Sequence, residues 1–192
     1  MASHPSDYWQ RAVEATMPEV QGVRAATADP RRDLAPFFER VDYPYYLLTA
    51  RAPDEEMSGC LAGFVTQCSI DPPNLVACIS RLNHTLGVAM RASAMGLHLL
   101  GEDQVDMARL FGEETGDEVD KFADVDWRIG TTGAPLLADV LLALEGTILG
   151  HFSVGDHEAF LVRAVRAVGG PGHGLLTHRL SPELHVGHPS TS

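Results

Sequence analysis

Cysteine is scarce in this sequence and shows neither disulfide nor zinc-site spacing. Only Cys60, Cys68 and Cys78 occur, and none of them forms a Cys-x-x-Cys pair. A disulfide framework and a structural zinc site both need more cysteines at characteristic spacings. We therefore expect three reduced, buried cysteines with a structural role.

Basic residues and long apolar runs are also lacking. Lysine and arginine number 14 against 26 acidic residues, which gives a formal net charge of -12. Such a chain repels both a phosphate backbone and an anionic membrane surface. No apolar run reaches the roughly 20 residues that span a bilayer, and no secretory leader pattern opens the chain. We expect a cytoplasmic protein whose partners include neither nucleic acid nor membrane.

The signatures of several enzyme classes are absent as well. The sequence contains no G-x-S-x-G, P-loop or G-x-G-x-x-G motif, so acyl transfer, nucleotide hydrolysis and Rossmann-type nucleotide binding have no support. The spacing of the later histidines matches no metal motif, and no bound metal is expected. These histidines are His151, His173, His178, His185 and His188.

The sequence does contain a series of β-strand patterns. Runs of β-branched and aromatic residues predict strands at 45–50, 59–68, 75–80, 140–152 and 157–168. A Gly-Asp turn between the last two predicts an antiparallel hairpin. Strands and helices do not alternate regularly as they do in βαβ units. The predicted fold class is therefore mainly β, an antiparallel barrel with a few peripheral helices.

Short helices are predicted around these strands, with one apolar face or a capping residue at the start. The stretch 112–126 is the most acidic and is expected to be a solvated loop. The predicted helices are one capped by Ser6, one at 33–41, one capped by Asn83 and running through Met90, and one at 103–111 capped by Glu102 or Asp103.

The length of 192 residues suits one full hydrophobic core rather than two. We predict a partly helical N-terminal leader at 1–32, one domain at 33–168 and a C-terminal tail at 169–192. The tail is rich in His, Pro, Ser and Thr and is expected to have little structure of its own.

Several short motifs follow one another through the predicted domain. Ser69-Ile70-Asp71-Pro72-Pro73 precedes an apolar strand and then the run Ser80-Arg81-Leu82-Asn83-His84-Thr85. This pattern resembles the central signature of the flavin reductase family, which has an FMN-binding split-barrel fold. The resemblance spans 34–168 and implies an antiparallel split β-barrel. Its further pieces are Leu110-Phe111, Asp120-Lys121-Phe122, Gly133-Ala134-Pro135-Leu136-Leu137, Leu144-Glu145 and Gly155-Asp156-His157.

The resemblance implies a flavin site just before the D-P-P turn, where the family has a hydroxyl-rich T-A-S-S run. The matching positions here are Leu61, Ala62, Gly63 and Phe64, so only Ala62 keeps the pattern. Up to three hydroxyl donors are lost, each worth about 0.5–1.5 kcal/mol when paired, which predicts a loosely held flavin. Backbone N–H groups remain, and Gly63 leaves room for a ligand. The alternative is that Gly63 and Phe64 are ordinary barrel packing.

Thr66 and Gln67 are further candidates for flavin contacts. Their side chains could replace some of the lost polar groups. Because neighbours on a strand point to opposite faces, we expect only one of the two to point inward.

The run after the next strand implies the phosphate site. Arg81 can fork onto a phosphate, and Ser80, Asn83 and Thr85 add donors at a helix start that favours an anion. The alternative is that Asn83 only caps the helix and Arg81 is a solvated surface charge.

Gly155, Asp156 and His157 match the family triplet beside the flavin and nicotinamide rings. His157 is the candidate catalytic residue, with a role in contacting the rings and excluding water rather than in moving a proton. The alternative is a plain hairpin turn. Lys121 and Phe122 also match a family motif, although a lysine in an acidic loop is more often solvated.

The activity implied is an NAD(P)H-dependent flavin reductase that binds FMN or FAD and takes hydride from NADH or NADPH. The resemblance also implies a homodimer and the supply of reduced flavin to a partner monooxygenase. Two alternatives remain open: a non-catalytic carrier of flavin or deazaflavin with the same fold, and a structural module without a cofactor.

Overall fold

The computed structural model describes residues 30–114, 119–170, 172–181 and 184. It is mainly β, with three short helices among nine strands in these ranges. The helices are α1 Pro30–Phe38, α2 His84–Ala89 and α3 Val105–Gly112. The strands are β1 Tyr46–Arg51, β2 Met57–Ala62, β3 Val65–Ser69, β4 Asn74–Ser80, β5 Ala94–Leu99, β6 Trp127–Ile129, β7 Pro135–Leu137, β8 Leu142–Val154 and β9 His157–Gly169.

Seven strands form one antiparallel sheet in the order β2-β1-β5-β8-β9-β4-β3, and β6 pairs with β7 beside it. The predicted hairpin is confirmed: β8 and β9 are 13 residues each and turn at Gly155, whose φ of 70° suits glycine. The predicted antiparallel fold with peripheral helices is therefore confirmed.

The core lies on both faces of the sheet, as β1 makes clear. Leu47 and Leu48 are adjacent and point to opposite faces, yet both are fully buried. Leu48 packs in a cluster with Val88 of α2, whereas Leu47 packs in a second cluster with Phe111 of α3. The two helices thus cover opposite faces of the same strands, which explains their apolar sides.

Two predicted element bounds were wrong. The single strand predicted at 59–68 is two strands, because the chain turns at Gly63 and the carbonyl of Phe64 already accepts the N–H of Cys78. The helix predicted at 33–41 begins at Pro30 and ends at Phe38, after which the N–H of Val41 bonds to the carbonyl of Phe38 in a tighter turn.

The remaining helix predictions had mixed outcomes. Asn83 caps α2 as predicted, because its Oδ1 accepts the N–H of Thr85 at 3.0 Å. The cap predicted for α3 was wrong, since Gln104 occupies the N-cap without a side-chain hydrogen bond. The helix predicted after Ser6 lies outside the described residues.

Lys121 is not solvated, so that expectation was wrong. Only 6% of it is exposed, and its Nζ donates to the carbonyls of Phe111 at 3.0 Å and Gly59 at 3.4 Å. The carbonyl of Phe111 belongs to the last turn of α3, where carbonyls lack helical partners. Lys121 therefore closes the end of α3, and burial lowers its pKa.

The expectation of buried cysteines holds only in part. All three are free thiols, but Cys60 is buried, Cys78 is half-buried and Cys68 is exposed. Cys68 lies on the edge strand β3, whose middle residues face solvent. Burial raises the pKa of the Cys60 thiol to about 11, so it is protonated at neutral pH.

The segment after β9 contributes to the fold. Leu176 and Leu184 are buried, and the carbonyl of Leu176 accepts the N–H of Tyr45. Pro44 and Thr177 form a β-bridge. The division into leader, domain and tail stays a prediction, but the described part of 172–184 packs beside the start of β1. Within the described ranges, no helix is long and apolar enough to cross a membrane.

His98 gives the fold a pH dependence. It is fully buried, its Nδ1 lies 2.9 Å from the carbonyl oxygen of Leu47, and its Nε2 accepts the N–H of Leu137 at 3.1 Å. The ring is thus neutral with the proton on Nδ1. Burial lowers its pKa to about 4, although the bond to Leu47 works in the opposite direction.

We predict that the protein loses about 2 kcal/mol of stability between pH 7.5 and pH 5, because in that range the unfolded state takes up a proton that native His98 excludes. Urea unfolding at several pH values measures this. His98→Gln should be less stable at pH 7.5 and should flatten the pH slope, whereas the exposed control His173→Gln should not. An unchanged slope in His98→Gln would contradict the assignment.

Candidate functional site

A cavity of about 600 Å³ opens at one end of the sheet. Its volume lies within the range typical of small-molecule sites. Five pieces of chain line it: the residues before β1, the β2–β3 turn, the end of β4 with the loop to α2, the β8–β9 turn, and the segment of residues 172–181 and 184, here called the C-terminal segment. Its lining includes Tyr43, Tyr45, Leu61, Ala62, Gly63, Phe64, Ser80, Arg81, Leu82, Asn83, Gly155, Asp156, His157 and His178.

The β2–β3 turn supplies Ala62, Gly63 and Phe64, the three residues predicted there as flavin contacts, to the cavity. Thr66 and Gln67 are not brought there, contrary to the expectation that one of them points inward. Both are exposed on the edge strand β3, where Thr66 bonds to the carbonyl of Gln67 and Gln67 bonds to that of Ser69. In the described part of the chain, no other element packs over this part of the edge strand β3, so both side chains face solvent. The alternation of side chains along the strand therefore directs neither of them into the cavity.

The loop from β4 to α2 places Ser80, Arg81 and Asn83 on the cavity wall. Asn83 also caps α2, so the capping reading and the lining position hold together. Thr85 is buried instead, with its Oγ1 2.9 Å from the Oγ of Ser58. It lies under the loop, where it fixes α2 to β2.

Arg81 is the cation of this wall. Its side chain is 49% exposed, and its Nη2 lies 3.8 Å from Oε2 of Glu158. Its backbone N–H donates to the carbonyl of Asp156 at 3.0 Å, which ties the β4–α2 loop to the β8–β9 turn. The guanidinium is therefore neither fully solvated nor locked in a close ion pair.

Glu158 was not predicted from the sequence. It is buried, and its carboxylate also accepts from Nδ1 of His151 at 2.7 Å and from Oγ of Ser153 at 2.9 Å. The signal was present in the hairpin, because a turn at 155–156 pairs Ser153 with Glu158 across the strands. Glu158 thus holds negative charge just behind Arg81.

The Gly155-Asp156-His157 turn, which contains the candidate catalytic residue His157, lines the cavity. Nδ1 of His157 is 2.8 Å from Oδ1 of Asp156, so the carboxylate fixes the proton on Nδ1. The His157 ring is 5.3 Å from the Phe64 ring between centroids. The β8–β9 turn therefore contacts both the β2–β3 turn, through Phe64, and the β4–α2 loop that contains Arg81 (the Arg81 loop).

Tyr43 and His178 line the cavity but were not predicted to do so. Their rings stack with centroids 5.1 Å apart and planes only 7° from parallel. The Tyr45 hydroxyl lies 3.0 Å from Nδ1 of His178. No local motif connects His178 with residues at the start of β1, so the sequence held no signal for this contact.

The cavity combines one cation with largely apolar and aromatic walls. Arg81 is the one Lys or Arg among the described lining residues. In the described parts of the chain, no three His, Cys, Asp or Glu side chains are grouped closely enough to hold a metal ion. The arrangement suits an organic ligand that has a flat ring and an anionic group.

Residues 38–180 match the model of the flavin reductase like domain. This range covers well over half of the chain. The chain belongs to the flavin reductase family. The resemblance inferred from the ordered motifs is thus confirmed, and the matched range includes the C-terminal segment with His178.

Two relatives illustrate the similarity of this flavin reductase family member to known proteins. It is 34% identical to an FMN reductase (NADH) RutF 1 of Methylorubrum extorquens, over 73% of this chain and 70% of the relative. A protein of the same name from another strain of that organism is also 34% identical, over 66% of this chain, and there the match spans 61% of the relative's length.

A solved structure shows the same fold. The NADH:FAD oxidoreductase SgcE6 of Streptomyces globisporus is similar with a TM-score of 0.69 and 27% sequence identity. The similarity covers 80% of this chain and 92% of the other. The split-barrel fold predicted for this family member is therefore confirmed.

Proposed function

We propose that this chain is an NAD(P)H-dependent flavin reductase that binds FMN or FAD and reduces it with hydride from NADH or NADPH. One observation carries the proposal: in a member of the flavin reductase family, a single cavity joins the Arg81 loop to an apolar aromatic wall. The names of its relatives, an FMN reductase and an NADH:FAD oxidoreductase, support the same reaction.

The residues present fit a flavin. The cavity is large enough, Arg81 can pair with a phosphate, and Gly63 and Phe64 offer backbone and apolar surface to a flat ring. Leu61, Gly63 and Phe64 lack the hydroxyls of the family pattern, so polar contacts there are limited to the backbone. We infer a flavin that exchanges readily rather than one that stays bound.

The chain's part in the reaction is to bind and orient. A bound flavin would supply the two-electron acceptor for the hydride of the nicotinamide, so the chain itself would need no nucleophile. Because Asp156 engages Nδ1 of His157, we assign Nε2 to the ligand side, where it contacts the rings and helps to exclude water. Ser80 and Asn83, at the Arg81 loop, add donors toward the phosphate.

A second candidate function is a carrier of flavin or deazaflavin without turnover. The lost hydroxyls at Leu61, Gly63 and Phe64 favour it, because they alter the part of the site that holds the ring. This candidate requires binding without reduction, so a measurement of both binding and reduction separates it from the first.

We also propose a homodimer, whose second subunit covers the mouth of the cavity. Phe64 and Leu82 line the cavity and are more than half exposed, and Ile70 at the end of β3 is 87% exposed. Strand β3 is a sheet edge with backbone groups open to pairing. Transfer of reduced flavin to a partner monooxygenase, and a cytoplasmic location, remain predictions from the sequence.

We predict that the purified protein accelerates the reduction of FMN or FAD by NADH or NADPH when oxygen is absent. Loss of the flavin's visible absorption measures the rate against a mixture without protein. Binding of flavin without acceleration by either nicotinamide nucleotide would favour the carrier. Absence of both binding and acceleration would contradict both functions.

We predict that Arg81→Gln weakens FMN binding about 5- to 10-fold and leaves riboflavin binding nearly unchanged, because only FMN carries the phosphate. The size reflects one charge-assisted contact at a half-exposed site. Titration calorimetry with both ligands measures it, with Arg51→Gln as a control outside the cavity. Equal weakening for FMN and riboflavin would contradict the phosphate assignment.

We predict a dimer mass in solution, and a shift toward monomer when Ile70→Glu or Leu82→Glu places a charge on the covered face. Light scattering coupled to gel filtration measures the mass. Met90→Glu, another exposed apolar position, is the matched control. A monomeric wild-type protein would rule out this dimer.

A further inference from the structure

Four aromatic side chains form a continuous row along the cavity wall. His157 is 5.3 Å from Phe64 between ring centroids, Phe64 is 6.0 Å from Tyr43, and Tyr43 is 5.1 Å from His178. The row starts beside the Arg81 loop, because the N–H of Arg81 bonds to Asp156. It therefore leads from the cationic end of the cavity to the C-terminal segment.

The Tyr43 ring fills the space over Gly63. A Cβ atom at position 63 would lie closer to Cε2 of Tyr43 than side-chain atoms approach one another. Position 63 matches one of the hydroxyl-bearing residues of the family pattern. In this chain the aromatic ring occupies the place next to the backbone that such a side chain would take.

His178 holds Tyr43 in this position. The two rings stack nearly parallel, and the N–H of His178 donates to the carbonyl of Tyr43 at 3.0 Å. Nδ1 of His178 lies 3.0 Å from the hydroxyl of Tyr45. The Tyr43 ring is thus held by its contacts with the Gly63 backbone and the His178 ring. Because the ring is already ordered, ligand binding costs little free energy for ordering it.

We propose that this row, centred on Tyr43 and positioned by His178, is a ring-stacking subsite for the flavin ring that replaces the missing hydroxyl contacts. The inference rests on the proposed function, since it takes flavin as the ligand. Aromatic rings pair through offset-stacked or edge-to-face contacts that need no hydrogen-bond partner. The subsite therefore recognises the flat ring of the flavin, and Arg81 contributes a separate contact with the phosphate.

Riboflavin tests the subsite without the phosphate. Tyr43→Leu removes the ring but keeps apolar volume, and we expect riboflavin to bind about 10-fold more weakly, as loss of one aromatic pair implies. Tyr43→Phe should bind like the wild type. Calorimetry measures affinity, and the quenching and red shift of flavin fluorescence and absorption report stacking.

His178 is tested as a positioning residue. His178→Ala should weaken riboflavin binding about 3- to 10-fold and reduce the spectral shift, whereas His178→Phe, which keeps a stacking ring, should restore both. His173→Ala, an exposed histidine of the same segment, is the control. Gly63→Ser should also weaken binding while Tyr43 is present, because the new side chain displaces the ring.

The outcomes separate the two proposals. If the wild-type protein binds neither FMN nor riboflavin, the proposed function fails. If it binds riboflavin and both Tyr43→Leu and His178→Ala bind it equally well with the wild-type spectral shift, this inference is overturned. If these two variants lose affinity for NADH or AMP but keep their affinity for riboflavin, the inference is also overturned, because the aromatic row would then bind the nicotinamide nucleotide and not the flavin. Thermal melting of each variant shows whether its fold is intact, and the two variants act on different segments.

Discussion

The pairing of β8 with β9 is the constraint on which the rest of the structure depends. In the described sheet it joins the β2-β1-β5 side to the β4-β3 side, so the two halves of the sheet are connected through this hairpin. Its turn at Gly155 also places Asp156 against the backbone of Arg81, and its register brings Glu158 beside Ser153 and behind the guanidinium. The same hydrogen-bond ladder therefore builds the sheet and assembles the polar end of the cavity.

The charge distribution around Arg81 predicts that an anion at this site would be bound weakly. The chain has a formal net charge of -12, which opposes any phosphate, and Glu158 lies 3.8 Å from the guanidinium. A phosphate would share the half-exposed cation with that carboxylate, while His151 and Ser153 stabilise the carboxylate from the other side. A site of this kind favours exchange of its ligand, which is consistent with a reductase whose product leaves.

The aromatic row and one of the missing hydroxyls, that of position 63, have the same physical origin. Glycine at position 63 allows the Tyr43 ring to contact the backbone, and the same glycine removes a hydroxyl that could donate to a ligand. Polar contacts are directional and are lost when one partner is absent, whereas ring stacking depends on area and tolerates small displacements. Among its described residues, the site has a largely apolar wall and one cation, Arg81. Because different residues would contact the flavin ring and the phosphate, the strength of one contact can change without the other.

The sequence by itself determined strands β1, β4, β8 and β9, the β8–β9 hairpin, the Asn83 cap and the family. Each depends on local alternation, turn residues or the order of short motifs. Gly63, Arg81 and His157, which the motifs marked as candidate site residues, line one cavity. Only the tertiary structure decided that Lys121 is buried, that Thr66 and Gln67 face solvent on an edge strand, and that His178 stacks on Tyr43. These outcomes depend on which segments, far apart in the chain, cover one another. No local pattern encodes that coverage, since it follows from the packing of the whole sheet.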